Sequence, residues 1–480
     1  MPQKMLRFID LERSPPDQRS APERRADFQE IYQEFAAQKA AEQASRCSQC
    51  GVPFCQVHCP LGNNIPDWLR ATAEGRLEEA YILAQETNAM PEICGRICPQ
   101  DRLCEGSCVI EQSKHGTVTI GAIERFITET AWENGWVKPI KPGAPKEQSV
   151  GIIGAGPAGL TAAEGLRLRG YDVAIYDRYD RAGGLLTYGI PNFKLEKHIV
   201  ERRVTRLHDA GVAIQLGADI GNDVTFSELR DRHEAVLIAT GVYGARDLSV
   251  PGANLNGTIP ALEYLIASNK KGFGDEVPDY DSGLMNAKGK RVVVIGGGDT
   301  AMDCVRTAIR QEALSVTCLY RRDRANMPGS QREVSHAEAE GVVFNWLASP
   351  LALEGLRKVT SVRAERMRLG APEAGGRQRI ERIPDSEFNI DADLVITALG
   401  FDPEDLPKLF HEPILGVSRW GTLAVDPQSA MTSMSGVFAA GDIVRGASLV
   451  VWAVRDGRQV TRSIDSYLTA LRSARHAEAS

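Results

Sequence analysis

Two glycine-rich turns, each set between a run of branched apolar residues and a helical pattern, constrain this chain more than any other feature. In the first, Ser149-Val150-Gly151-Ile152-Ile153 reads as a short buried strand, followed by Gly154-Ala155-Gly156-Pro157-Ala158-Gly159 and a helical stretch to about Arg169. This is G-x-G-x-x-G in the strand, turn and helix setting that the motif requires. The first glycine makes the tight turn, the second lets backbone approach a pyrophosphate, and the third lets helix and strand pack closely, with the helix N-terminus facing the anion. Gly170 then ends the helix, and a second strand, Tyr171 to Tyr176, runs into Asp177 about 20 residues beyond the turn, where a carboxylate accepts a hydrogen bond from a ribose hydroxyl. An unphosphorylated adenosine ribose is expected there. A glycine turn that binds nothing is the plainer alternative, and it leaves the terminal acid unexplained.

The same order returns about 140 residues later. Arg291-Val292-Val293-Val294-Ile295 precedes Gly296-Gly297-Gly298-Asp299-Thr300-Ala301, a G-x-G-x-x-A variant, then a helix to about Ala313 and a strand from Ser315 to Leu319. In place of the acid stands Tyr320-Arg321-Arg322-Asp323-Arg324. Guanidinium groups at that point favour a ribose 2′-phosphate through charge-assisted bidentate bonds, so the ligand expected is NADPH and not NADH. A solvated arginine run, partly neutralised by Asp323, is the alternative. One acid-ended and one arginine-ended site imply a flavin site and a nicotinamide site that meet for hydride transfer, hence a flavoprotein reductase.

The order G-A-G-P-A-G, Asp177, Gly183-Gly184-Leu185, Ala239-Thr240-Gly241, G-G-G-D-T-A, Thr397-Ala398-Leu399-Gly400 and Ala440-Gly441-Asp442 resembles the two-dinucleotide-binding flavoprotein reductases. In that family the nicotinamide domain is inserted into the FAD domain. The resemblance implies that Gly154, Gly156, Pro157, Ala158, Gly159, Asp177, Gly184, Leu185, Thr240, Gly241, Gly441 and Asp442 hold FAD. It places NADPH on Gly296, Gly298, Asp299, Thr300, Ala301, Arg321 and Arg322. Gly441 and Asp442 would lie at the ribityl chain and phosphate, and a helix beginning near Ser448 would turn its positive end to the isoalloxazine ring and favour reduced, anionic flavin. No C-x2-C dithiol stands near these motifs, so disulfide reduction is not expected.

Of ten cysteines, eight fall between Cys47 and Cys108, with only Cys304 and Cys318 outside. They read Cys47-x2-Cys50-x4-Cys55-x3-Cys59-Pro60 and Cys94-x3-Cys98-Pro99-x4-Cys104-x3-Cys108. Short loops that converge thiolates, with Cys-Pro at a run's end, suit two [4Fe-4S] clusters. Zinc is the main competitor, but its paired C-x2-C knuckle occurs once and the block holds few histidines, His58 and His115. Disulfides are disfavoured by the expected cytoplasmic location. NADPH delivers two electrons together, FAD can release them singly, and clusters carry one each.

Cysteine block, FAD unit and NADPH insertion in this order are similar to the small (beta) subunit family of NADPH-dependent glutamate synthase over essentially the whole chain, and to the N-terminal half of dihydropyrimidine dehydrogenase. In the latter, the clusters interleave ligands from both cysteine groups, and one takes a non-cysteine side chain 16 residues after the last cysteine, which is Glu124 here. By that resemblance Cys47, Cys50, Cys55 and Cys108 hold one cluster and Cys59, Cys98, Cys104 and Glu124 the other, leaving Cys94 spare; the simpler reading gives all eight cysteines iron. The family implies an FMN-carrying large subunit that forms L-glutamate from L-glutamine and 2-oxoglutarate. Glutamine hydrolysis there uses an N-terminal cysteine, whereas this chain starts Met1-Pro2, so that chemistry is expected elsewhere. No catalytic side chain stands out. Two other readings remain at this point: a ferredoxin-type or pyrimidine-reductase electron-transfer subunit, and a zinc-stabilised docking module.

The expected fold class is α/β, with two Rossmann-like domains preceded by a mainly α-helical cysteine-rich iron–sulfur domain. The divisions expected are 1–147, an FAD domain of 148–286 plus 401–480, and an NADPH domain of 287–400. Val137 to Gln148, with Pro139, Pro142 and Pro145, reads as a linker, Ser268 to Lys290 as a hinge, and Gly370 to Gly376 as a solvated hairpin loop. Phe28, Ile31, Tyr32 and Phe35 fit an amphipathic helix. A net charge of −7 gives no reason to expect nucleic acid. No apolar run approaches the ~18 residues of a membrane span, and the start carries no secretory segment, so a cytoplasmic location is expected.

Overall fold

A computed structural model of the chain describes residues 3–372 and 378–479. Its first α/β unit is a five-stranded parallel sheet in the order Val437–Ala439, Ala235–Ile238, Ser149–Ile153, Asp172–Asp177, Ala213–Leu216. The outermost strand comes from the far C-terminal part of the chain, so the second unit is an insertion into the first. Alternation along Ser149–Ile153 feeds two layers. Val150 and Ile152 pack with Leu160 and Leu166 of helix Pro157–Arg167, whereas Ile153 packs with Val236, Ile238 and Phe226 on the other face.

The second unit repeats the plan, in the order Thr258–Pro260, Leu394–Thr397, Arg291–Ile295, Ser315–Tyr320, Val343–Trp346, again all parallel. Strand Ser361–Pro372 pairs antiparallel with Ala348–Glu354, Gln378–Arg382 and Phe388–Asp391 beside it. The loop read at Gly370 to Gly376 lies largely outside the described residues.

The division expected at 286/287 is corrected by this topology. Thr258–Pro260 belongs to the second sheet, and residues 261–272, read partly as hinge, form helix Ala261–Gly272, whose Tyr264 and Leu265 enter that unit's core. The two passages between units are instead Gly244–Ala245 and Phe401–Asp402, which pair antiparallel as a two-stranded ribbon. A ribbon of two residues per strand has no hydrophobic period, whereas the Gly, Lys and Asp of 268–290 only decorate a helix end.

The cysteine-rich segment is helical, with Ala37–Ser45, Ile65–Ala73, Leu77–Thr87, Pro91–Ile97 and Ile120–Glu133 around a core of Trp68, Leu69, Tyr81 and Ile123. It is welded to the first unit, since Met90 and Ile93 belong to that unit's core. Glu92, fully buried, forks onto Arg203 at 2.5 and 2.7 Å. The amphipathic helix expected over residues 28–35 does not form. That stretch runs extended between helices Ala21–Ala26 and Ala37–Ser45, and its apolar side chains serve separate partners. Phe28 meets the Phe193 ring, the Tyr32 hydroxyl reaches His336 Nε2 at 3.1 Å, and Phe35 enters the cysteine-domain core. Among the described residues no helix is long and apolar enough to cross a membrane.

Candidate functional site

The glycines of the first turn divide by what a side chain would meet. A Cβ on Gly154, whose φ is +108°, would lie 2.4 Å from Ala239 O, and one on Gly159 would lie 2.0 Å from Gly154 O. On Gly156 it would meet nothing within 4 Å. The outer glycines are therefore required by the fold, while Gly156 is required only by something that approaches from outside. Gly159→Ala is expected to cost about 1–3 kcal/mol through overpacking. Gly156→Ala is expected to keep the melting temperature of the flavin-free chain yet weaken FAD roughly tenfold or more. Melting curves and FAD titration of the two variants check this; equal melting losses would refute the division.

The other residues expected to hold FAD converge on this turn. Gly183 N donates to Ala155 O at 2.8 Å, a Cβ on Gly184 would meet Gly156 Cα at 2.9 Å, and one on Gly441 would meet the Ala158 Cβ at 3.0 Å. Leu185 opens the short helix Leu185–Tyr188, beneath which Lys197 donates to Leu186 O and Ile190 O; burial pushes that ammonium down to about 7. Asp177 is buried, accepting from Ala155 N at 2.7 Å and Tyr179 N at 2.9 Å, and burial raises its carboxyl. Asp177, Gly154 and Thr240 line one recess with Arg178, Tyr179 and Tyr243. There the Thr240 hydroxyl is buried with no partner among the described residues, an orphan polar atom that a nucleoside can satisfy. Gly241 turns the chain at φ +73° beneath Tyr243. Asp442 accepts from Ser448 Oγ at 2.5 Å, just before helix Val450–Ala479, which crosses the nucleotide helix where a Cβ on Gly457 would meet Ala158 O at 2.4 Å.

The second turn obeys the same division. A Cβ on Gly296 would meet Ala398 O at 2.3 Å, and one on Gly298 would meet nothing. Asp299, Thr300 and Ala301 open helix Asp299–Arg310. The two arginines separate in the bend that follows strand Ser315–Tyr320. Arg321 is exposed, whereas Arg322 is 7% exposed and donates Nη1 to Gln378 O at 2.9 Å. Arg324 is paired with Glu338 at 2.6 Å.

Between the units lies a cavity of about 630 Å³, lined by Cys98 and Pro99 of the cysteine domain, Leu185 and Leu449 of the first unit, and Thr300 and Asp303 of the second. Leu185, Cys98-Pro99 and Thr300 each come from a sequence motif, but no spacing in the sequence shows that they share one space. Lys194, also on its wall, pairs with Asp303 at 2.8 Å.

The thiols fall into two groups. Cys47, Cys50, Cys55 and Cys108 act electrostatically on one another, with Gln49 N and Nε2 donating to Cys47 Sγ at 3.4 Å. Cys59, Cys94, Cys98, Cys104 and Glu124 line a second, smaller recess, closed on one side by Val451 of the C-terminal helix. Among the described residues no His, Cys, Asp and Glu side chains are grouped for a single metal ion. Burial pushes the Cys47 and Cys59 thiols up to about 11, Cys55 up to about 12 and the Glu124 carboxyl up to about 8. A cluster's iron would supply the positive charge that holds such buried thiols as thiolates. Cys304 and Cys318 are buried in the second unit, far from any such grouping in sequence and core.

The fold and the two turns define a pyridine-nucleotide flavoprotein oxidoreductase with an appended cluster domain. Comparison with known families agrees: residues 148–457 match pyridine nucleotide-disulphide oxidoreductase, and residues 24–136 match dihydropyrimidine dehydrogenase domain II, 4Fe-4S cluster, which decides against the zinc alternative. FprA from Mycobacterium tuberculosis in complex with NADPH shares the fold at TM-score 0.58 and 19% identity, over 68% of this chain and 86% of that one. The glutamate synthase [NADPH] small chain of Azospirillum brasilense is 64% identical over 98% of this chain and 97% of its own length. That of Escherichia coli K12 is 43% identical over 98% and 100%. The chain belongs to the glutamate synthase [NADPH] small-chain family.

Several residues of the site escaped sequence reading. Arg178 lies over the Tyr243 ring at 4.9 Å and pairs with Glu404 at 2.8 Å; its place directly after Asp177 was the available signal. Asn88, which donates to Glu124 Oε1 at 3.2 Å, had none.

Proposed function

We propose that the chain oxidises NADPH at a bound FAD and delivers the electrons through two [4Fe-4S] clusters to the FMN-carrying large subunit of glutamate synthase in the cytoplasm. The observation that carries this reading is the three-sided cavity, in which the flavin loop at Leu185, the nucleotide helix at Thr300 and the cluster thiol at Cys98 face one space. When bound, FAD and the clusters supply the change from paired to single electrons.

The chain's own residues hold and orient. The turns at Gly156 and Gly298 leave room for phosphates, Asp177 takes the flavin ribose, and Thr240 offers its unpartnered hydroxyl. Leu449 and Val451 keep water from the path between the flavin cavity and the Cys98 recess. Cys47, Cys50, Cys55 and Cys108 hold one cluster, and Cys59, Cys98, Cys104 and Glu124 the other. Cys94 then keeps its thiol on Asn88 Oδ1 at 3.8 Å. Arg321, exposed past the strand end, reads the 2′-phosphate, while Arg322 is turned inward with Nη1 on Gln378 O.

Arg321→Ala is expected to lower the NADPH-over-NADH preference of flavin reduction roughly tenfold to a hundredfold, the range of one or two charge-assisted bonds. Stopped-flow reduction with both nucleotides measures it; equal rates already in the parent chain would refute the role. Anaerobic pull-down tests the partner, and recovery of a large FMN protein is the expected result.

A further inference from the structure

The loop joining Cys98 to Cys104 does more than space two thiols. Its middle residues cross to the NADPH unit, where Arg102 Nη2 donates to Asp299 Oδ2 at 3.0 Å and Nη1 donates to Pro328 O. Ser330 Oγ donates to both carboxylate oxygens of Asp101 at 3.2 Å. Asp299 Oδ1 accepts from Ser330 N at 2.9 Å, and Gly329 N donates to Gly297 O at 2.9 Å. The cysteine-domain loop, the 328–330 segment and the glycine turn are thus one hydrogen-bonded unit. The loop itself is stiff. Buried Gln100 donates to Cys94 O and Gly95 O at 3.2 and 3.1 Å, and a Cβ on Gly106 would meet Asp101 O at 1.9 Å.

Asp299 is the first residue of the helix whose N-terminus faces the nucleotide phosphates, so its carboxylate by itself opposes a pyrophosphate. Arg102 neutralises that charge and, with one N–H on Asp299 and one on Pro328 O, has further N–H donors left for phosphate oxygens. The pair is 41% and 36% exposed, the kind of ion pair that contributes little to stability. We propose that Arg102 is an NADPH-binding residue contributed by the iron–sulfur domain, completing the pyrophosphate site across the domain boundary. The proposal rests on reading the Gly296–Gly298 turn as that site.

The test is the NADP+ dissociation constant of the holoenzyme, read from the flavin absorbance change, together with KM and kcat for NADPH and NADH. Arg102→Ala is expected to raise the dissociation constant and both KM values roughly tenfold, equally for the two nucleotides because they share the pyrophosphate, with kcat within about twofold. Arg102→Lys is expected to recover most of the loss, and Asp299→Asn in the Arg102→Ala background part of it. Asp101→Asn, which weakens the same strap without removing the cation, is expected to bind like the parent. An unchanged constant in Arg102→Ala, or an equal loss in Asp101→Asn, overturns the proposal. Gly298→Val separates the two readings: if it weakens NADP+ while Arg102→Ala does not, only Arg102 is misassigned, and if neither does, the turn itself is misread.

Discussion

Cys98→Ala is expected to purify with roughly half of the iron and acid-labile sulfide, one of two clusters, to keep NADPH-dependent bleaching of its flavin, and to lose electron delivery to the large subunit. The reason is position. Cys98 lines both the three-sided cavity and the small thiol recess, and packs against Val451 at the head of the C-terminal helix. Among the described residues no other cysteine borders both spaces. That recess brings together five candidate ligands where one cluster needs four, so Cys94→Ala and Glu124→Ala divide the ligand sets. With Glu124 as ligand, Cys94→Ala retains iron and transfer, and Glu124→Ala loses them. Full iron and full transfer in Cys98→Ala would sink the path.

Arg306→Met is expected to destabilise the chain by about 3–5 kcal/mol, the cost of opening a buried ion pair from one side. Arg306 is fully buried and donates Nε and Nη2 to Glu340 at 3.0 and 2.8 Å, and Nη1 to Glu333 at 2.6 Å. Arg310 also donates to Glu340, at 2.7 Å, and both guanidinium groups lie over the Phe193 ring, at 4.6 and 3.9 Å. Arg24 approaches Glu340 at 3.7 Å from the N-terminal segment, and Lys194 approaches Glu333 at 3.7 Å from the first unit. The network therefore ties the NADPH unit to both of its neighbours. Without Arg306, the charged partners left to Glu333 among the described residues are Lys194 at 3.7 Å and His336 at 3.5 Å. The double variant with Glu333→Gln is expected to regain part of the loss; a loss under about 1 kcal/mol in Arg306→Met would contradict the assignment.

The same network carries a pH signature. Burial raises the Glu340 carboxyl, but the hydrogen bonds and charges of Arg310 and Arg306 outweigh it and hold the group at about 2 against an ordinary 4.5. A depressed carboxyl contributes its full stabilisation above the unfolded value and loses it as pH falls through the folded one. The melting temperature should decline between pH 4.5 and 2, more steeply in the parent than in Glu340→Gln.

The parts legible in the sequence are those written in neighbouring residues. A strand, a glycine turn and a helix N-terminus occupy some 15 consecutive positions, so Gly154 to Gly159 and Gly296 to Ala301 announce their geometry before anything folds. The acid at Asp177 follows from the length of one helix and one strand. The misread features depend on partners far away in the chain. Phe28, Ile31, Tyr32 and Phe35 show helical spacing, yet Phe28, Tyr32 and Phe35 each answer to a different neighbour, which pulls the segment straight. Arg321 and Arg322 look equivalent as letters, but the bend after Tyr320 leaves one in solvent and the other on Gln378 O.

The sequence by itself determined the two nucleotide turns, the acid that follows the first and the arginines that follow the second, and the abundance of thiols. Only the tertiary structure decided where one unit ends and the next begins, which thiols stand together, and that a cavity joins them. Local backbone chemistry acts over one turn of helix, while Gly244–Ala245 against Phe401–Asp402, Cys108 with Cys47, and Arg102 on Asp299 are pairings across tens to hundreds of residues. Such pairings exist only once apolar burial has brought the units together.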